Sequence, residues 1–306
     1  MALIDSSITY NGKDADGFYS TALLTGNTKS LIRAVPNVKS KINLASLDLG
    51  DILQADSCSV SESGDYTLDQ KTLEVCDFAF NIPLCEKDYE GLYLSESLRP
   101  GSNVEQNFPN GMVDYLFNLV AEKISEQTEA LLWSGSTTAS PPDLCDGFIK
   151  KFIADSAVVD VASPTTLTSG NIVTELIKVV NAIPNTVKNK GKNAVKIFVS
   201  ISAASLYEQA LVAASPALYA YNNANLALTF MGYELIVSPG MPDNTMVACD
   251  PMNLWYGFDL LSDEKEISFV KNPNPGQQKK SNIVGSFKWG VQYGVGSEVV
   301  LYGTGS

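Results

Sequence analysis

Carboxylates are the side chains of this sequence best suited to acid–base chemistry. The 306-residue chain contains no histidine, which excludes Ser-His-Asp and Cys-His nucleophile systems in their standard form and the helical two-histidine zinc site. The candidate acidic groups are Glu126 with Glu129, and Asp263 with Glu264 and Glu266. A glycoside hydrolase needs two carboxyl groups that face each other across a sugar and come from distant segments. Carboxylates so close in sequence do not supply that arrangement, so we interpret them as solvated.

The cysteines are the next candidates for chemistry. There are five of them, Cys58, Cys76, Cys85, Cys145 and Cys249. No two have the two-residue spacing of a zinc or redox motif, and an odd number at low density is not typical of a disulfide scaffold. We interpret them as buried or half-buried thiols in a reducing compartment. A reactive thiol at Cys145 is disfavoured because no histidine is present to activate it.

Glycine-rich and basic stretches do not form a cofactor or phosphate site. The Gly294-x-Gly296 pair lacks the third glycine of a dinucleotide loop, and Gly191-Lys192 lacks the upstream glycine of a phosphate loop. The densest basic stretch, with Lys188, Lys190, Lys192 and Lys196, is interpreted as a solvated loop. The net charge of −13, from 21 Lys+Arg and 34 Asp+Glu, argues against a dedicated nucleic-acid reader. We therefore predict no catalytic, cofactor or metal site, and no enzyme activity.

An alternating strand and a long helix are the clearest elements that the sequence predicts. Apolar and polar residues alternate over 76–84, which is typical of a strand with one buried face. Pro83 indicates an edge position or a strand end. Apolar residues recur with helical spacing over 112–133, which predicts a rod of roughly 33 Å. Neither this helix nor any other stretch has the run of about 18 apolar residues that spans a membrane.

The segments around these two elements divide into loose and compact parts. Residues 1–35 are too sparse in apolar side chains for a local core, so we expect an extended arm that packs on something else. Residues 36–72 favour a long hairpin or flexible loop. A compact α/β unit is expected over 160–255. Its predicted elements are a helix over 172–183 ended by Pro184, a strand over 195–201, a helix capped by Ser202, and strands over 232–238 and 245–249.

The last part of the chain returns to β structure. A strand is predicted over 267–270, followed by a Pro/Gly/Lys turn over 272–280. Residues 283–302 are expected to form a long strand pair or one bent strand, with Gly290, Gly294 and Gly296 as kinks or bulges. The scattered tryptophans Trp133, Trp255 and Trp289 suit core or interface anchors better than a sugar platform.

The order of these elements resembles that of the major capsid proteins of tailed bacteriophages, whose fold is named after phage Hong Kong ninety-seven. The order is a loose arm, a projecting hairpin, an edge strand, a rod-like helix, an α/β insertion and a β return. Local stretches over nearly the whole chain are similar to that family: EALLWSG at 129–135 with CDGF at 145–148, FMGYELIV at 230–237 with the turn at 239–242, and FKWGVQYG at 287–294.

The resemblance implies an α+β phage major-capsid fold with five segments. These are an N-terminal arm over 1–35, an extended loop over 36–75 that lies on a neighbouring subunit, a peripheral domain over 76–159 with the spine helix 112–133, an axial domain over 160–258, and a β return to the peripheral domain over 259–306. It also implies self-assembly into hexamers and pentamers of an icosahedral head around double-stranded DNA. The expected location is the virion, after assembly in the bacterial host cytoplasm.

Two departures from that family limit what the resemblance implies. Some members carry a long N-terminal scaffolding region that a protease removes, whereas here Met1 leads directly into the arm, so a separate scaffold or none is expected. Portal and decoration proteins remain candidate partners. Some members also cross-link a loop lysine to an asparagine of the next subunit. Lys71 lies near the expected loop, but no partner or catalytic glutamate can be matched, so that chemistry is not carried over.

Three alternatives remain open at this point. An encapsulin-type nanocompartment shell protein shares the capsid fold, and a co-encoded cargo enzyme would favour it. Another phage structural part, such as a tail or decoration protein, is the second. A carboxylate-based glycoside hydrolase, the third, belongs to a different class and would lose turnover when one distant acidic pair is mutated.

Overall fold

The computed structural model is an α+β protein with two main sheets and a separate hairpin. It describes residues 8–10, 27–49, 53, 66–85, 110–139, 143–214, 228–259, 267–271 and 280–303. The strands are β1 Ile8–Tyr10, β2 Arg33–Val35, β3 Lys41–Leu49, β4 Tyr66–Glu74, β5 Cys76–Cys85, β6 Val159–Asp160, β7 Lys196–Val199, β8 Thr229–Phe230, β9 Tyr233–Val237, β10 Thr245–Cys249, β11 Leu254–Asp259, β12 Ile267–Lys271, β13 Lys280–Tyr293 and β14 Val300–Gly303. The helices are α1 Asn110–Ser134, α2 Phe148–Ala154, α3 Ile172–Ala182, α4 Asn185–Lys188 and α5 Ile201–Ala214.

The first sheet is built around the long strand β13. Its order is β1-β12-β13-β11-β2, and β5 pairs antiparallel with β13 along all ten residues of β5. The alternation predicted over 76–84 is confirmed, because Phe78 and Leu84 are buried while Asp77 and Ala79 are exposed. Phe78 stacks on Trp289 with ring centroids 5.0 Å apart, so the buried face of β5 joins the main core.

The second sheet separates two hydrophobic cores. Its order is β6-β14-β10-β7-β9-β8. Side chains alternate across it: Phe198, Val247 and Leu301 face the core shared with α1, α2 and the first sheet. Their sequence neighbours, with Val199 and Met246 among them, face a second core formed with α3 and α5. Period-two alternation with both faces buried explains why these strands consist almost entirely of apolar residues.

The end of the chain crosses from the first sheet to the second. Residues 283–302 are not one strand pair or bent strand, because β13 ends at Tyr293 in the first sheet and β14 lies between β10 and β6 in the second. Gly294 and Gly296 lie in the connecting turn. The chain crosses in the opposite direction between β10 and β11. Strand β10 belongs to the second sheet, and β11, which follows it in sequence, pairs with β13 in the first sheet. Neither crossing between the sheets can be recognised in the local sequence, because the pattern of a strand does not show which distant strand it pairs with.

Helix α1 confirms the long helix expected over 112–133. It runs from Asn110 to Ser134, and its last turn buries Leu132 and Trp133 completely. The helix ends where Gly147 donates a backbone hydrogen bond of 2.8 Å to the carbonyl of Gly135. A Cβ at Gly147 would lie 2.7 Å from the Trp133 carbonyl oxygen. The segment around Gly147 therefore packs with its backbone directly against the backbone at the end of α1.

Two local predictions are wrong. Helix α5 is capped by Ser200 and not by Ser202: it begins at Ile201, and the Ser200 hydroxyl accepts from the Ala203 amide at 3.2 Å. The cysteines are not all thiols, because Cys76 and Cys145 form a disulfide with Cα atoms 6.0 Å apart. Cys85 and Cys249 are free. The bonded pair is 69 residues apart in sequence, so spacing could not reveal it.

Candidate functional site

The hairpin formed by β3 and β4 is largely exposed among the described residues. The two nine-residue strands pair with each other from Lys41↔Glu74 to Leu49↔Tyr66 and form a sheet of their own. At about 3.3 Å per residue the hairpin is about 30 Å long. Leu47 and Leu68 face each other across the strands and are 61% and 57% exposed. A two-stranded hairpin with exposed leucines is marginal in water by itself, so this surface is a candidate contact for another protein chain.

The base of the hairpin is anchored where the end of β4 packs over two glycines of the first sheet. Leu73 is fully buried in a small core with Val38 and Leu44. Gly257 and Gly290 are opposite each other on β11 and β13, and a Cβ at Gly257 would lie 2.7 Å from the Leu73 side chain. The missing side chains leave a groove in the first sheet, and the end of β4 lies in it.

A polar cluster forms a second attachment for the hairpin. The Lys71 ammonium lies 2.8 Å from Asp155 Oδ2 and 3.7 Å from the centre of the Tyr293 ring. The Tyr293 hydroxyl donates to the same carboxylate oxygen at 2.7 Å. The hydrogen bond from Lys71 and those from the Ala157 amide and Tyr293 lower the pKa of Asp155 to about 2. Lys71, singled out near the expected loop, is thus held by its own chain.

We expect Lys71→Met to raise the pKa of Asp155 toward its ordinary value. A carboxyl with a depressed folded-state pKa stabilises the protein above its ordinary pKa of 3.8, and this stability is lost as the pH falls toward about 2. The acid loss of stability between these values should therefore shrink in the variant. Carboxyl NMR titration of Asp155 tests it, with Lys41→Met as control, because Lys41 pairs with Glu74 in an exposed ion pair at the same base. An unchanged Asp155 titration in Lys71→Met would contradict the assignment.

Residues at the end of the predicted arm are buried in their own chain. The Thr28 amide donates to Glu129 Oε1 at 3.1 Å, and the Trp133 indole donates to the Thr28 hydroxyl at 3.0 Å. Lys29 is 3% exposed and donates to the Ser125 carbonyl at 3.3 Å. This part of the arm expected over 1–35 therefore packs on another segment of the same chain, because side chains and a carbonyl of α1 supply its hydrogen-bond partners.

Glu129 also departs from its predicted place on a solvated helix face. It is 5% exposed, whereas Glu126, one turn earlier, is exposed and pairs with Lys123 at 2.7 Å. The second oxygen of Glu129 and the hydroxyl of Tyr256 are both buried without a hydrogen-bond partner in the described structure. Burial, and then the charge of Glu129, raise the pKa of Tyr256 far above its ordinary value. The two carboxylates thus lie in different environments, with Glu126 at the surface and Glu129 inside the chain.

We expect stability to rise with pH because Lys29 is buried. Burial lowers the pKa of Lys29 from 10.5 to about 8, against the opposing effect of Glu129. Between these values the unfolded chain keeps the proton and the folded chain has lost it, so raising the pH favours folding. The gain from about pH 7.5 to about pH 9.5 should be about 2 kcal/mol. Urea unfolding of the wild type and Lys29→Met at both pH values measures it, and an equal pH dependence in the two proteins would refute it.

The remaining residues singled out in the sequence are placed as follows. Asp263, Glu264 and Glu266, like Cys58, lie outside the described residues. Trp133 and Trp289 are fully buried anchors, as expected. The basic stretch lies at the surface and leads into β7, as expected, and its lysines also make contacts within the chain. Lys190 pairs with Glu298 and Asp250, Lys196 pairs with Glu234, Lys192 donates to the Met231 carbonyl, and Lys188 donates to the Asn181 carbonyl.

A hollow of about 630 Å³ opens beside α2 and the second sheet. Its lining includes Ser134, Lys150, Asp160 and Asp243. Neither Glu126 nor Glu129 lines it. Within the described ranges, no group of three or more His, Cys, Asp or Glu side chains is placed to hold a metal ion. No helix among the same residues combines the length and the apolarity needed to cross a membrane.

Comparisons with known proteins give structural matches only. No protein-family model and no curated protein sequence matches the chain. A satellite phage P4 procapsid structure that includes the size determination (Sid) protein matches with a TM-score of 0.59 at 11% identity, over 94% of this chain and 96% of that one. The capsid of an empty GTA particle matches with a TM-score of 0.59 at 14% identity, over 98% and 94%.

A third solved structure agrees with these two. A structure titled Mycobacterium phage Bobi matches with a TM-score of 0.57 at 12% identity, over 92% of this chain and 91% of that one. At such low identity the likeness concerns the fold, and it covers nearly the full length of each chain. The resemblance to the tailed-phage major capsid proteins is therefore confirmed, and the mixed helix and sheet architecture of this chain is that of phage capsid structures.

Proposed function

We propose that this chain is a non-enzymatic major capsid protein that self-assembles into the icosahedral head of a tailed phage. The observation that carries the proposal is the likeness of fold to capsid and procapsid structures over more than nine-tenths of both chains in the first two comparisons. A likeness confined to one sheet would be compatible with many functions. A likeness over nearly the whole length of both chains favours a shared role more strongly.

The exposed hairpin supports the proposal on physical grounds. The strand pair carries Leu47, Leu68 and Tyr66 in exposed positions, with Tyr66 at 68%. We infer that the hairpin lies on a neighbouring subunit within hexamers and pentamers, where these side chains lose their contact with water. In this assignment residues 36–75 form the extended loop, 76–159 with α1 as spine form the peripheral domain, 160–258 form the axial domain, and 259–306 return to the peripheral domain.

The charge of the chain suits a container for DNA better than a DNA-binding module. A chain with a net charge of −13 repels a phosphate backbone as a whole. The proposed head therefore encloses double-stranded DNA without sequence-specific contacts, within the virion and after assembly in the host cytoplasm. A separate scaffold, a portal and decoration proteins are the partners that such a head would use.

The test is the mass and shape of the purified chain, by mass photometry and negative-stain electron microscopy. Capsomers or closed shells are expected, whereas a stable 32.9 kDa monomer under all assembly conditions would refute the proposal. Leu68→Lys places a charge in the exposed leucine pair and should abolish assembly while leaving the chain folded. Leu68→Ile is the matched control and should assemble. Nucleic acid in shells purified from infected cells would support the phage head, whereas cargo enzyme in its place would favour the nanocompartment.

A further inference from the structure

The apolar side chains of the hairpin change from one face to the other along its length. Side chains alternate between the two faces of a strand, and cross-strand partners share a face. Near the base, Leu44 and Leu73 lie on the face that packs into the small buried core. Farther out, Leu47 and Leu68 are directly opposite each other. They are three and five residues away from Leu44 and Leu73, which are odd spacings, so they lie on the face opposite to the one that anchors the base.

The outer half of the hairpin therefore presents an exposed, uncharged patch, which we call the leucine patch. It consists of Leu47, Leu68 and Tyr66, and each of these side chains is more than half exposed. At the same distance from the base, the other face carries the polar side chains of Thr67 and Asp69, which are exposed as well. A sheet with one polar and one apolar face has its apolar face covered, so the leucine patch needs a partner surface.

The hollow beside α2 has the matching shape and composition. Ile149 and Ile153, one helical turn apart on α2, line it together with Pro164 and Pro242. Ile153 is 60% exposed. The volume of about 630 Å³ lies within the range of cavities that enclose a small ligand, so the hollow has room for a few side chains. Neither Leu47 nor Leu68 lines it, so the patch and the hollow do not meet within one chain.

The charged groups of the hollow favour a neutral partner over an anionic one. The Lys150 ammonium lies 2.6 Å from Asp146 Oδ1, so it is already neutralised by its own chain. The other charged lining groups are the carboxylates Asp160 and Asp243, which would repel a phosphate or an acidic peptide. The leucine patch brings no charge, and the Tyr66 hydroxyl at its end is a hydrogen-bond donor of the kind that carboxylates accept.

We propose that the leucine patch of one chain inserts into the hollow beside α2 of a second copy. A patch and a pocket at different places on one molecule form a head-to-tail contact, which continues from copy to copy until a ring closes. The inference rests on the proposed capsid function and specifies one contact that builds its hexamers and pentamers. Three side chains cover less than the ~800 Å² per partner of a stable interface, which favours a ring in which every copy makes the contact twice.

The first test changes the hollow and leaves the hairpin untouched. Ile153→Lys places a charge in the apolar part of the hollow and should abolish assembly, as Leu68→Lys does from the other side of the contact. Ala154→Lys is the matched control, because Ala154 is exposed on the same helix and does not line the hollow. Thr67→Lys is the control on the opposite face of the hairpin. Both controls should assemble like the wild type, and urea unfolding should show that all four variants are folded.

The second test identifies the surface that the patch contacts. The photo-cross-linker p-benzoylphenylalanine replaces Leu68, and this chain is assembled together with isotopically labelled wild type before irradiation. Mass spectrometry then distinguishes cross-links within a chain from those between chains. We expect cross-links to labelled peptides that contain Ile149, Ile153 or Pro242, and none to these peptides when the cross-linker replaces Thr67.

The outcomes separate this contact from the capsid role on which it rests. A wild type that stays monomeric would refute both together. If the wild type assembles and Ile153→Lys assembles equally well, only the contact is refuted. Cross-links from position 68 that stay within one chain, or that join other parts of the second copy, would also refute it, as would a loss of assembly in Ala154→Lys equal to that in Ile153→Lys.

Discussion

Replacing Gly290 with alanine is expected to displace the hairpin base from the first sheet and to lower the free energy of unfolding by about 3 kcal/mol. A Cβ at this position would lie 2.0 Å from the Glu74 carbonyl oxygen and 2.9 Å from its carbonyl carbon. Both atoms belong to the backbone at the end of β4, so no side-chain rotation relieves the overlap. The hairpin must move, and the burial of Leu73 must be weakened.

Urea unfolding measures the loss in the free energy of unfolding. Electron microscopy of the same samples shows whether a chain with a displaced hairpin still assembles. Gly303→Ala is the matched control, because Gly303 also lies in a strand and its Cβ would meet Thr245 only at 3.9 Å. That variant should stay within about 0.5 kcal/mol of the wild type. If Gly290→Ala were equally stable and assembled normally, the close crossing of β4 over β13 would be wrong.

Replacing Glu129 with alanine is the second change with a large expected effect, a loss of about 3 kcal/mol in the free energy of unfolding. The substitution leaves the Thr28 amide without its acceptor and removes the negative charge that opposes the lowered pKa of Lys29. The pKa of Lys29 would then fall further, so that Lys29 loses its proton at a lower pH, which limits the loss of stability. Residues 27–32 should detach from α1, and their amides should exchange faster with solvent.

The chain offers a close control for this prediction. Glu126 lies one turn earlier on α1 and forms an exposed ion pair with Lys123, with side chains 70% and 60% exposed. Glu126→Ala should therefore change the stability by no more than about 0.5 kcal/mol. The double variant Lys29→Met, Glu129→Leu removes both buried charges and should regain part of the loss. Equal effects of the two glutamate substitutions would show that Glu129 does not hold the arm.

Most of the elements could be predicted because each leaves a local periodicity in the sequence. The alternation over 76–84 corresponds to β5, and the helical spacing over 112–133 corresponds to α1. The same reasoning found α3, β7, β9 and β10, whose apolar runs end at turn-forming residues. Which strands pair with each other does not show in such a local pattern. The move of β14 into the second sheet and the parallel pairing of β2 with β11 are settled by packing between distant segments.

The attachments of the hairpin were harder to predict for the same reason. The Cys76–Cys145 bond joins residues 69 apart, and Glu129 is buried by residues about 100 positions earlier in the chain. One usable signal was present. A glycine inside an apolar strand indicates either a bulge or a close approach of another backbone. Gly290 was expected to be a kink or bulge, and the structure shows the close approach.

The position of β14 has a consequence for how the chain is synthesised. Residues 300–303 are translated after every other described element, yet they pair with both β10 and β6 inside the second sheet. Until they leave the ribosome, β10 presents an open edge and the second core lacks Val300 and Tyr302. An unpaired apolar strand edge is prone to pair with other chains. A nascent chain therefore stays vulnerable to misassociation until residues 300–303 have emerged, and termination just before β14 should yield aggregates that engage chaperones.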